Sequence, residues 1–193
     1  HEGTVPHDKA AFDELLEARG FTISHSLQSE YAEASTTGLS ADFETAAALF
    51  AEFLQQPRWP EEAFAVAKER VIGRLTSETD SMESTAHRAI ANALFAPGHP
   101  LFAGTLDASL AAARKLTFAE VRSFHQSRCA PKSLLLAISG SIDEATARKV
   151  ADAAFGGWKT EGSPPPLVFP GPREKIEEKR IVGTLKADAP RSG

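Results

Sequence analysis

Six histidines, 26 acidic side chains, a single cysteine and scattered serines give this chain material for hydrolytic or metal chemistry, provided that spacing brings some of them together. A zinc hydrolase of the helix-borne type needs two imidazoles on one helix face and a carboxylate to act as general base, as in His-Glu-x-x-His or the inverted His-x-x-Glu-His. Neither pattern occurs. His87 and His99 are separated by an expected helix end at Pro97, Gly98 and Pro100. No glycine-rich loop precedes a helix to cradle phosphate, and no serine sits in a nucleophile-elbow pattern. Cys129, alone in the chain, can neither close an internal disulfide nor build a thiolate zinc site, and reads as a bystander. His25 reads as hydrogen-bonded packing at the edge of a core face rather than as a ligand. Taken alone, these residues point to a soluble α/β domain and no further.

Composition narrows the classes. With 193 residues, 42% apolar and 24% charged, the chain can bury a real core and form one large or two small domains. A net charge of -5 and the absence of a basic run exclude a nucleic-acid surface, which needs clustered Lys and Arg to displace counterions. No apolar stretch reaches the roughly 18 residues of a membrane span, and no signal-peptide pattern opens the chain. Because it starts at His1, the chain reads as cut from something longer, and its compartment, cytoplasmic or periplasmic, stays open.

The elements that must position any site centre on residues 41–75. Phe43, Ala46, Ala47, Phe50, Phe53 and Leu54 recur at helical spacing and demand a buried face. Pro57 and Pro60 end that helix and start a second, with Glu61 and Glu62 at its positive end and Phe64, Ala67, Val71 and Leu75 along one side. Before this pair, a helix over Lys9 to Arg19 carries Phe12, Leu15 and Leu16 and stops at Gly20. Phe21 to Leu27 and Tyr31 to Leu39 then read as an antiparallel hairpin with Phe21, Ile23, His25 and Leu27 on one face.

After the pair, a polar stretch from Thr76 to Glu83 leads to a helix from Ser84 with Ala86, Ile90, Ala93 and Leu94 as its stripe. A short alanine-rich segment follows from Thr105 to Arg114. Thr117 and Glu120 form a capping box for a helix to about Ser127. Ser133 to Ser139 is a continuous apolar run closed by Gly140 and is expected to be the central strand. Asp143 caps a helix through Phe155, with Ala147, Val150, Ala151 and Ala154 inward and Gly156 and Gly157 as its stop. The prolines at 164–166, 170 and 172 mark a linker, and residues 179–186 read as one further strand. The domain plan is therefore 1–161 as one domain, 162–178 as linker, and 179–193 as the first strand of a second domain or a return strand.

The order of short motifs says more than any one of them. Glu2-Gly3-Thr4, the Leu39 to Glu44 opening, Gln56 to Glu62, Lys68-Glu69-Arg70, Gly98 to Leu101 and Phe155 to Trp158 together resemble the insulinase/pitrilysin (M16) family of zinc metallopeptidases. The resemblance covers nearly the whole chain. It implies an α+β domain with an antiparallel sheet under helices, a second homologous half or subunit as partner, and a peptide substrate cut in the chamber between them. Catalytic halves carry His-x-x-Glu-His shortly before the Gly-Thr and a third zinc ligand, a Glu, on a later helix. If His1 to Thr4 matches the segment after that motif, the third-ligand position falls near Arg74, and an arginine has no free acceptor for zinc. Glu69 or Glu78 fills the role only if the match slips by a turn; otherwise both are solvated helix charges.

The reading is thus a zinc-free partner domain in peptide binding and proteolysis, with no catalytic residue and no metal of its own, although the family uses zinc. Two alternatives stand beside it. One is a catalytic half whose His-x-x-Glu-His lies outside this sequence, and the other is an assembly module with no peptidase role.

Overall fold

The computed structural model describes residues 1–28 and 31–159. The fold is α+β: seven helices and one antiparallel hairpin among the described residues. These residues divide into two compact units. The first holds His1–Phe64 and resumes at Thr117, and the second begins at Ala65 and ends at Leu116.

In the first unit, helix α1 (Lys9–Glu17) starts at Asp8, whose carboxylate accepts from the Ala11 amide at 3.0 Å. Just beyond the helix, Gly20 adopts a φ of +64°, the left-handed conformation that glycine enters without steric cost. Strands β1 (Thr22–Leu27) and β2 (Ala32–Thr37) pair antiparallel with Thr22 opposite Thr37 and Leu27 opposite Ala32. Helix α2 (Phe43–Gln55) follows a short 3₁₀ turn at Ser40–Asp42.

Two faces of α2 are covered. On one, Ala46 and Leu49 join Phe12, Leu16 and Phe21 in a single cluster, with Ile23 and Phe53 packed against it. On the other, Phe50 meets Phe155 edge-on at 6.5 Å where α2 lies against α7 (Glu144–Phe155). Burial on two sides explains the alanines: a small side chain every turn lets a second element approach. The expected core position of Phe50 holds, whereas Phe53 is only partly buried. The shared face of the hairpin is covered at its Phe21 end alone, since Leu27 is 83% exposed.

Helix α6 (Phe118–Arg128) begins with the full capping box: the Thr117 hydroxyl accepts from the Glu120 amide and Glu120 accepts from the Thr117 amide at 2.7 Å. Helix α7 is capped by Asp143, which accepts from the Thr146 amide and hydroxyl at 2.9 and 2.7 Å. Those bonds favour the carboxylate and hold its pKa below the ordinary value.

Helix α3 (Glu61–Ser77) leaves the first unit after Phe64 and enters the second, which adds α4 (Met82–Leu94) and α5 (Leu106–Lys115). Leu110 is the buried apolar residue among the described residues of this unit. Its joints are polar: Asn92 exchanges two hydrogen bonds with the Gly104 backbone, both at 2.9 Å, and Arg88 donates to the Ala103 carbonyl at 2.9 Å. No helix among the described residues is long and apolar enough to cross a membrane.

Three expectations are corrected. The run 133–139 forms no strand: Pro131–Ser133 is a 3₁₀ turn, Leu134 is extended, and Leu135 is 93% exposed. An apolar run supplies side chains for a strand, but the ladder comes from a partner elsewhere, and among the described residues the paired strands are β1 and β2. The α3 stripe is not buried either, for Ala67 and Val71 are exposed and no α3 residue lies in the core. Its Ala, Glu, Lys, Arg and Leu content makes α3 a helix by local preference, which requires no covered face. The α4 stripe behaves alike, with Ala86 and Ile90 exposed. The proline-rich linker and the strand expected at 179–186 lie outside the described residues.

Candidate functional site

The positions singled out for zinc chemistry do not converge. Arg74 is exposed in the last turn of α3, where its carbonyl accepts from the Ser77 hydroxyl at 2.8 Å. Glu69 is exposed on the same helix. Glu78 sits in the 3₁₀ turn that follows and faces the Arg88 guanidinium at 3.4 Å. His87 is exposed on α4. The His99 ring stacks on Phe95 with centroids 4.5 Å apart, and its Nδ1 accepts from the Leu101 amide at 3.1 Å. Zinc needs at least three convergent donors, and no group of three His, Cys, Asp or Glu able to hold a metal lies together among the described residues. The Arg74 guanidinium offers hydrogens only and could not join such a set.

A different set of side chains does share a cleft. Within the first unit, Gln55 at the end of α2, Ser123, His125, Gln126 and Ser127 on α6, Cys129 after it and Trp158 beyond α7 line a cavity of about 440 Å³. Each is held by its element. The Gln55 amide donates to the Ala154 carbonyl at 2.9 Å, which fixes its orientation against α7. His125 lies in the last turn of α6 with its ring edge-on to Trp59 at 5.1 Å. Burial pushes the His125 pKa down and the Cys129 thiol pKa up, because both charged forms lose solvation there. Both shifts disfavour the charged forms and so work against a thiolate–imidazolium pair. The cleft offers two amides, two hydroxyls, an imidazole, a thiol and an indole, groups able to hydrogen-bond and stack against a ligand.

A third cluster escaped the sequence reading altogether. Thr4, fully buried, donates its hydroxyl to Oε1 of Glu52 on α2, and the His7 Nδ1 lies 2.8 Å from the same oxygen. Pairing across more than forty residues leaves no periodic trace in the sequence.

Comparison with known proteins supplies the rest. Residues 115–191 match the family model described as the peptidase M16 inactive domain. No curated protein matches the sequence. Among solved structures, the chain is similar to a peptidase M16 inactive domain from Pseudomonas fluorescens, with a TM-score of 0.76 and 21% identity over 89% of this chain and 41% of that one. It is also similar to a protease from Helicobacter pylori, with a TM-score of 0.69 and 17% identity over 89% of this chain and 40% of that one. The chain thus spans about two fifths of the length of the solved chains it matches, and at such identities the likeness shows the fold.

Proposed function

We infer that this chain, a fragment of the M16 peptidase family with the family's non-catalytic type of domain, pairs with a homologous zinc-bearing half and helps to hold peptide substrate while that half cuts it. The match of residues 115–191 to the inactive-domain model carries the reading. The arginine at position 74, exposed and without a metal-binding neighbour set, supports it, as does the hydrogen-bonding character of the cleft beside Trp158. Peptide recognition draws on such groups: amides and hydroxyls meet backbone N–H and C=O, and an indole takes an apolar side chain. In this reading residues 1–161 are one peptidase-like domain, 162–178 lead away from it, and 179–193 begin or rejoin a sheet.

The zinc chemistry of the pair then belongs to the partner half, which would supply the water-activating metal and its general base. The test is metal analysis of the purified chain after chelator treatment and re-addition of Zn²⁺, with a peptide-cleavage assay alongside. Substoichiometric zinc and no cleavage by the chain alone are expected. One equivalent of tightly held zinc would overturn the reading and return attention to Glu69, Glu78, His87 and His99.

A further inference from the structure

No carboxylate, ammonium or guanidinium lines the cavity beside Trp158. Its volume of about 440 Å³ lies toward the small end of ligand pockets, with room for one or two residues of a peptide rather than a long stretch. Ser123, Gln126 and Ser127 recur at i, i+3 and i+4, so they share one face of α6 and form the exposed rim. Gln55, His125, Cys129 and Trp158 are partly buried and form the floor.

The polar groups around this cavity divide into engaged and open ones. The Gln55 amide nitrogen is held by the Ala154 carbonyl, which leaves its oxygen as an acceptor. The Ser127 hydroxyl donates to the Phe124 carbonyl at 3.0 Å, so its oxygen keeps the capacity to accept. The side chains of Ser123 and Gln126 make no hydrogen bond to another described residue. Donors and acceptors thus stand beside an indole and an imidazole, a combination that suits an uncharged planar group such as a carboxamide or a phenol ring.

A charged group meets no counter-charge there. The end of α6 lies beside the cleft, and free carbonyls at a helix C-terminus favour cations. Those of Phe124, His125 and Arg128, however, already accept from the Ser127 hydroxyl, the Cys129 amide and the Ser133 hydroxyl at 3.0, 2.8 and 2.9 Å. An ion entering the cleft would lose water without gaining a partner, which is the costly form of burial. The protein's own groups respond in the same sense, since burial disfavours both the His125 imidazolium and the Cys129 thiolate.

Resting on the reading that this chain holds peptide, we propose that the cleft is a specificity subsite for one uncharged planar side chain of the substrate, aromatic or carboxamide, and that it rejects lysine, arginine, aspartate and glutamate. Gln126 sets the selection. It has the longest side chain on the rim, and its open carboxamide both donates and accepts.

NMR titration of the full chain with N-acetylated, C-amidated Ala-Xaa-Ala tripeptides tests this, because blocked ends leave Xaa as the only source of charge. With Xaa as Tyr or Gln, the amides of Ser123, Gln126 and Cys129 and the Trp158 indole N–H should shift, whereas Lys and Glu peptides should bind about tenfold more weakly or worse. Gln126→Glu should bring the Lys peptide level with the Tyr peptide by supplying a counter-charge, and Gln126→Lys should do the same for the Glu peptide. Both changes fall on an exposed position that packs in no core. Lys and Glu peptides that bind the parent as well as Tyr and Gln ones, or shifts confined to residues away from the cleft, would overturn the subsite and leave the peptide-holding reading in place. An order unchanged in both variants would overturn the assignment of Gln126. Failure of every peptide to bind would overturn the subsite and the peptide-holding reading together.

Discussion

Replacing Phe50 by alanine gives the sharpest check on how the first unit is built. Phe50 is 7% exposed, lies on the α7 side of α2, and meets Phe155 edge-on. Truncation removes nearly the whole ring from a covered site and leaves a cavity that two helices cannot close without moving. Such substitutions cost ~3–5 kcal/mol. Against a typical domain stability of ~5–15 kcal/mol, that is a large share of the total. With a urea slope of ~2 kcal/mol/M, a loss of ~4 kcal/mol lowers the unfolding midpoint by about 2 M. Equilibrium urea unfolding followed by far-UV circular dichroism is the assay. Phe124→Ala is the control, since that ring is 64% exposed with Arg128 beside it, and it should move stability by no more than about 1 kcal/mol. A double-mutant cycle with Phe155→Ala should show a coupling of ~0.5–1.5 kcal/mol beyond area. A Phe50→Ala midpoint within about 0.3 M of the parent would refute the packing of α2 on α7.

Three further outcomes follow from the same reasoning. Asn92→Ala removes both hydrogen bonds to Gly104 and should destabilise the second unit by ~1–3 kcal/mol, read as faster exchange in α4 with α1 and α2 unaffected. Thr117→Ala breaks the capping box and should cost ~1 kcal/mol in urea unfolding, whereas Thr117→Ser should cost much less. Burial lowers the His125 pKa, so between the folded value and the ordinary ~6.5 the unfolded chain binds the extra proton. That contribution is complete above about pH 6.5 and is lost as pH falls through the folded value; His125→Gln should flatten this part of the stability profile, and an unchanged slope would count against burial as the cause.

The local grammar of the chain was legible in its residues. Thr117 and Asp143 announced two helix starts, because a cap is a contact between neighbours in sequence and needs no third element. Alternation from Phe21 and the break after Leu27 likewise marked the hairpin, whose partners are close along the chain. The α+β class and the M16 likeness were also within reach, because the order of motifs survives when each motif is weak.

What tertiary structure decided was everything that depends on a distant partner. The apolar residues of 133–139 could not say whether another strand would accept their backbone hydrogen bonds, and among the described residues none does. The stripes of α3 and α4 could not say whether anything would cover them, because helical preference and burial are separate conditions. Gln55 and His125 became neighbours of one cleft only when α2, α6 and the residues after α7 were folded together. Thr4 and Glu52 share a hydrogen bond across 48 positions, and no periodicity of 2 or 3.6 encodes such a pair. Short-range chemistry is written in spacing; long-range contact is the outcome of which faces meet, and that is settled by the folded chain.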